Sequence, residues 1–346
     1  MAEVKLENCL ALGEDAGRGN LLGIQACLHA SDFFNEPAYH RALRGYLMEA
    51  RSRGWLNPRT IAVYPEYTGT WLALAGEEGT LRKAKTLRQA MQALILVHPV
   101  SFAWQLVKSR EKGKIEASLF RLKAPLMAGI YSRTFSSLAK EFGVTIVAGS
   151  ILLPEPQIQG NLVFMSRQNA PLQNVSAVFR PDGSAYPTLV RKCFPIQDEL
   201  PFTAPGNVED LPAFETPAGR LGVLICADSW FPAAYERMRT LKVNLLAVPS
   251  YISHAGAWNA LWAGYSGWSE PTDVNRADIQ RLEEGQAWHK YALAGRLASS
   301  QAQAGVNVFL QGDLWDMASD GYSLVIRGRE LAEIPPQSGG IVNLWL

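Results

Sequence analysis

Residues 222–230, GVLICADSW, set a thiol, Cys226, directly after a run of apolar, partly β-branched residues. Leu221 to Ile225 reads as a short buried strand, and Ala233 to Leu241 as the helix that follows. A nucleophile at such a strand-to-helix turn is exposed at the strand's C-terminal edge, beside free backbone N–H groups. That placement favours anionic sulfur and a developing oxyanion. It does not suffice. A free thiol is only a few per cent ionised near neutral pH and needs a base, and cysteine is otherwise a commonly buried small hydrophobe.

Two other stretches offer what the thiol lacks. AVYPEYTGTW (62–71) carries Glu66 at the end of a second buried strand, and TLVRKCFPIQDELPFTAPG (188–206) carries Lys192 just after a strand. Taken alone, a glutamate after proline is a solvated turn, and Lys192 is a surface lysine with a snorkelling stem. Cys193 adjoins Lys192, but neighbours in a strand point to opposite faces, so one of the two faces away from any shared site.

The elements needed to hold these residues are legible as an alternation of strands and helices. Strands are expected at 21–28, 60–66, 144–152, 243–250 and 306–312, with amphipathic helices at 37–54, 133–143 and around 282–304. Pro-Asp-Gly (181–183) marks a hairpin before Lys192, and a glycine turn joins two strands in GYSLVIRGRELAEI (321–334). Helices, strands and interleaved hairpins together predict an α/β fold with a mixed sheet.

In this order the motifs resemble the nitrilase, or carbon–nitrogen hydrolase, superfamily, whose members use a Glu–Lys–Cys triad. GIQACLHASDFFN is similar to the family's first strand and loop, AVYPE to its Pro-Glu motif, and LAKEFGVTIVAGS to the helix and strand before its lysine. PDGSAYPTLVRK resembles the lysine hairpin, and LICADSWFP followed by VNLLAVPS resembles the cysteine elbow and the next strand. The resemblance implies a four-layer αββα sandwich, with residues 1–346 as a single domain, and a homodimer or larger homo-oligomer. It implies that Cys226 attacks the substrate. Glu66 would act as general base and then acid, with its pKa raised by an apolar setting. Lys192 and the Ala227 N–H would stabilise the oxyanion. Glu199 resembles a second acidic residue that orients substrate or lysine. No cofactor and no metal is implied.

Nitrilases proper resemble Cys-Trp-Glu at the elbow and aliphatic amidases Cys-Arg-Asp-Gly. Cys226-Ala227-Asp228-Ser229-Trp230 matches neither. The absence of Trp-Glu points away from nitriles and towards an amide or N-carbamoyl bond. Alternatives are a nitrilase, or an acyltransferase using the same triad on a lipid-like or amine acceptor. Asp228 is either a polar pocket residue or, as the helix start favours, an acid complementing the dipole. Tyr67, Trp71, Trp230, Phe231, Trp258, Trp262 and Trp268 are aromatic pocket candidates, though tryptophan is equally at home in a core or an interface. His254 and His289 lack matching partners and read as structural.

The 346 residues are enough for a large core, and the formal charge of +1 gives no reason to expect nucleic acid. Cys9, Cys27, Cys193 and Cys226 show no metal-ligand or disulfide spacing, and the N-terminus lacks a secretory pattern, so a cytoplasmic location is expected. The resemblance does not cover residues 78–130, which read as a helical insertion. Between Thr80 and Pro125, Arg82, Lys83, Lys85, Arg88, Lys108, Arg110, Lys112, Lys114, Arg121 and Lys123 are offset only by Glu111 and Glu116. Between the basic clusters, Leu87, Met91, Leu94 and Ile95 lie at helical spacing and Pro99 breaks the helix. The stretch 91–107 is too short and too polar for a transmembrane span. It suits a hairpin covering the active-site mouth or a subunit interface, or a peripheral membrane contact through 82–123 that brings a lipid-like substrate to Cys226.

Overall fold

The computed structural model describes residue 6 and residues 8–346, apart from 168, 268, 269 and 337. Two six-stranded sheets form its centre. The first runs in spatial order Asn8–Leu12, Gly340–Trp345, Asn20–Gln25, Thr60–Tyr64, Thr145–Ala148 and Val178–Phe179. The second runs Ala213–Thr216, Gly219–Val223, Leu245–Ser250, Ala304–Phe309, Ser323–Arg327 and Glu330–Ile334. Both sheets have three parallel strands at the centre flanked by antiparallel pairings, and at one edge of the first sheet Asn8–Leu12 pairs parallel with Gly340–Trp345.

The period-2 geometry of a strand explains why these segments are apolar throughout. Leu21, Ile61, Val63 and Val147 point into the space between the sheets, where they share a core with Val223, Ala247, Val306 and Val308. Their neighbours Leu22, Ala62, Tyr64 and Ile146 point outward into a second core. That outer core lies under helix α1 (Glu36–Ser52) and a later, longer helix. Between them come α2 (Glu78–Leu81), α3 (Leu87–Val97) and α4 (Pro99–Lys108), and then the longer helix, α5 (Lys114–Phe142). On the opposite side, α6 (Pro232–Thr240), α7 (Glu284–Tyr291) and α8 (Leu293–Arg296) contribute Tyr235, Trp288 and Leu293 to the core of the second sheet. The result is the expected αββα sandwich.

Three segments depart from the expected elements. The run 144–152 is not one strand. It ends at Ala148, and a separate strand, Ile151–Pro154, joins Leu172–Ser176 and Val190–Arg191 in a small third sheet. The break falls at Gly149, whose φ of +64° belongs to the left-handed region. The helix expected over 133–143 is the last part of α5, which begins at Lys114 and contains Pro125. The helix expected around 282–304 divides into α7, α8 and a 3-10 turn, with a break at Ala292.

Candidate active site

Glu66 leaves the C-terminal end of the Thr60–Tyr64 strand, and the Gly149 corner holds it there. Ser150 Oγ accepts the Tyr67 N–H at 2.9 Å, and its carbonyl accepts the Gly69 N–H at 2.9 Å. A side chain at position 149 would have its Cβ 2.1 Å from the Pro65 carbonyl oxygen, so only glycine permits this approach. Tyr67 itself has a φ of +63°, an unusual conformation for a bulky residue, and turns its ring against Tyr251.

Lys192 follows the short Val190–Arg191 strand, and its N–H donates to the Asn174 carbonyl at 2.9 Å. Cys226 begins a 3-10 turn, Cys226–Trp230, with a φ of +50°. A non-glycine residue costs roughly 1–3 kcal/mol in such a conformation, which the surrounding structure must offset. The elbow expected at the strand end is therefore present, in a strained form.

These three side chains meet although they lie far apart in sequence. Lys192 Nζ is 2.8 Å from Glu66 Oε1 and 2.7 Å from Glu199 Oε2. Asn174 Nδ2 donates to Glu66 Oε1 at 2.9 Å and to Glu199 Oε1 at 3.3 Å. The Tyr67 hydroxyl donates to Glu199 Oε1. Glu66 and Lys192 are both only 1% exposed. The Cys226 thiol donates to the Tyr251 carbonyl at 3.6 Å, and the Ala227 N–H has no backbone acceptor among the described residues.

Burial pushes the Glu66 carboxyl up to about 7; Lys192 works against this and Glu199 with it. For Lys192 burial opposes the charge, but Glu199 and Glu66 outweigh it and hold the ammonium well above the usual lysine value. Burial also lifts the Cys226 thiol well above its usual value, Glu66 adding to the rise and Lys192 opposing it. The resting sulfur is a neutral thiol beside a carboxyl poised to titrate near neutrality.

A cavity of about 530 Å³ opens above the thiol. Tyr67, Trp71, Glu199, Cys226, Ala227, Trp230 and Trp262 line it, whereas Glu66 and Lys192 are not part of its lining. Two aromatic candidates are packing residues instead. Phe231 stacks on Phe194 with ring centroids 3.6 Å apart, and Trp258 packs among Trp288, Phe309 and Tyr322. Trp268 lies outside the described residues.

Asp228 is the first-turn acid of the Cys226–Trp230 turn, in line with the favoured reading, and it does more than complement a dipole. It is fully buried, and its carboxylate accepts the N–H groups of Cys193 (2.9 Å), Phe194 (2.8 Å) and Ile225 (3.2 Å). It fastens the lysine loop to the cysteine elbow. Cys193 is buried in the core between and behind the sheets, with its Sγ against the Arg191 carbonyl. Sequence reasoning also missed Asn174, whose only signal was an amide within the otherwise packed strand LQNVS.

The carbon–nitrogen hydrolase family model matches residues 109–269. That segment, just under half of the chain, supports the resemblance to the nitrilase, or carbon–nitrogen hydrolase, superfamily. The matched span takes in Lys192 and Cys226 and begins after Glu66. Among solved structures, a carbon–nitrogen hydrolase from Helicobacter pylori G27 is similar at 17% identity and a TM-score of 0.58, covering 94% of this chain and 88% of that one. A cysteine-to-serine mutant of an amidase from Nesterenkonia AN1, of the nitrilase superfamily, matches at 11% identity and a TM-score of 0.57, covering 95% and 92%. A glutamate-to-glutamine mutant of the same amidase matches at 12% and 0.57, covering 95% and 90%. No curated protein matches the chain. The αββα sandwich places its polar cluster at strand ends, where loops are free to shape a pocket.

Proposed function

We propose that this carbon–nitrogen hydrolase cleaves an amide or N-carbamoyl bond through a thioester on Cys226. The observation that carries the reading is the position of Lys192 Nζ, held between Glu66 Oε1 and Glu199 Oε2 in a dry setting. In the first half, the sulfur bonds to the carbonyl carbon as its proton passes to Glu66. Lys192 and the Ala227 N–H stabilise the tetrahedral oxyanion. The carbon–nitrogen bond then breaks, and the departing amine takes the proton from Glu66. In the second half, Glu66 accepts a proton from water as the water oxygen attacks the thioester. The acid leaves and the thiol is restored.

The pKa relationships support these roles. A neutral thiol needs a base at the moment of attack, and a carboxyl titrating near 7 serves as both base and acid at neutral pH. Glu199, Tyr67 and Asn174 act as positioning residues that fix Lys192 and Glu66. Trp71 and Trp230 furnish the apolar walls of the substrate pocket.

The test is acyl trapping. The wild-type protein, acid-quenched during turnover of a panel of amides and N-carbamoyl compounds, should gain the mass of one acyl group, whereas Glu66→Gln, lacking the base, should not. Peptide mapping should place that group on Cys226. Nitriles and amine acceptors run in parallel separate this reading from nitrile hydrolysis and acyl transfer. Full turnover by Cys226→Ala would refute it.

A further inference from the structure

The α3–α4 hairpin has two apolar faces, and the pocket uses only one. On α3, Leu87, Ala90, Met91 and Leu94 follow the spacing of a single helical stripe, and all four line the cavity above Cys226. On the other side, Leu96, Val100 and Val107 are 79%, 82% and 83% exposed, and Val97 and Trp104 are exposed with them. Val100, Trp104 and Val107 fall at i, i+4 and i+7 and form one outward stripe on α4. Isolated surface hydrophobes need no explanation, but a contiguous set on one bent helix pair does.

The bend is 104° and falls at Pro99. Neighbouring polar contacts hold it. His98 Nε2 lies 2.6 Å from Glu77 Oε1, and Lys123 Nζ lies 2.7 Å from the same oxygen. Among the described residues no single helix is long and apolar enough to cross a membrane, whereas α3 and α4 together have the length and apolar composition of a broken span. The hairpin is thus an interfacial element by its physical character, with its apolar corner turned outward.

Its charges select the partner. Two of the ten basic residues counted in this region are internal: Arg121 donates to Glu111 and to the Ala170 carbonyl, and Lys123 to Glu77 and the Ala75 carbonyl. The others stand at the two roots of the hairpin. Lys83, Lys85, Arg88, Arg110, Lys112 and Lys114 are exposed and form no ion pair with a described residue. Lys108 packs over the Trp104 ring, 4.1 Å from its centroid. A second copy meeting this face about a two-fold axis would set these cations against each other. An anionic lipid surface neutralises them and covers the stripe at the same time.

We propose that the outer face of the α3–α4 hairpin docks on an anionic bilayer, with the stripe from Leu96 to Val107 among the acyl chains and the basic roots at the headgroups. Because α3 is also the wall of the cavity, a substrate with a long acyl chain passes from the bilayer along α3 to Cys226. This second step rests on the amide-hydrolase reading given above. The docking itself does not.

The experiment therefore uses the Cys226→Ala protein, co-sedimented with phosphatidylcholine vesicles with and without phosphatidylglycerol. Binding is expected only with phosphatidylglycerol, and it weakens as salt rises towards about 1 M. Combined Lys108→Glu, Arg110→Glu and Lys112→Glu should weaken partitioning by roughly 100-fold or more. Combined Leu96→Ser, Val100→Ser and Val107→Ser should weaken it by about as much, since the exposed sites carry no packing role. Three outcomes overturn the proposal: no binding to anionic vesicles at low salt, binding untouched by the serine triple, or a soluble dimer that the serine triple dissociates in sedimentation velocity. Failure of the amide-hydrolase reading would leave the vesicle result unchanged and appear only as absent acyl trapping.

Discussion

The carboxylate of Asp228 accepts the backbone N–H of Cys193 at 2.9 Å. This bond joins the loop that carries Lys192 to the turn that carries Cys226, and Asp228 also takes the N–H groups of Phe194 and Ile225. In Asp228→Asn one oxygen can still serve Cys193 and Phe194, but an amide NH2 then faces the Ile225 N–H. Leaving a buried donor unsatisfied costs about 1–3 kcal/mol. The expected result is a lower denaturation midpoint and a fall in kcat with little change in KM. Unchanged kcat in a destabilised variant would make the clasp purely structural.

In the proposed mechanism Glu66 must be ionised to accept the thiol proton, so kcat/KM should rise with pH through an inflection near 7. The sign follows from burial, which favours the protonated carboxyl and moves its titration upward. An acid limb at the ordinary carboxylate range, near 4.5, would remove Glu66 as the titrating base.

Asn174 donates to Glu66 Oε1 and so favours the ionised form. Asn174→Ala removes that donor and should move the acid limb to higher pH, by about half a unit to one unit. The shift in the pH profile distinguishes a positioning role from simple loss of stability, which would lower activity without moving the inflection.

The two neighbouring thiols should behave in opposite ways. Cys226→Ala is expected to abolish turnover while keeping the fold. Cys193→Ala empties a small volume in the core, costs about 1 kcal/mol, and keeps most of the activity. Steady-state rates paired with thermal melts of both variants would show the separation.

Gly149→Ala places a Cβ against the Pro65 carbonyl in a backbone conformation that disfavours it. Two costs combine: left-handed strain of about 1–2 kcal/mol, and displacement of the Pro65–Glu66 segment. A lowered melting temperature together with a disproportionate loss of kcat is expected. A variant that melts early but retains full kcat would show that Glu66 does not depend on this corner.

Much of the molecule was legible without coordinates. The apolar strands, buried on both faces, advertise themselves by composition, and Pro99 marks the hairpin corner by removing a backbone donor. Glu66, Lys192 and Cys226, each at a strand end, stood out in a recognisable order, and the fold brings Lys192 to within 2.8 Å of Glu66.

Other features depend on contacts between segments distant in sequence. Asn174 reaches Glu66 across 108 residues because the small third sheet carries it there. Asp228 is a clasp because its turn packs under the lysine loop. Arg121 and Lys123 leave the basic surface because Glu111 and Glu77 meet them inside. Local patterning determined which segments were strands and helices, since periodicity and turn chemistry act over a few residues. Which polar side chains would meet was decided by sheet order and register, properties of the assembled sandwich that no short stretch of chain contains.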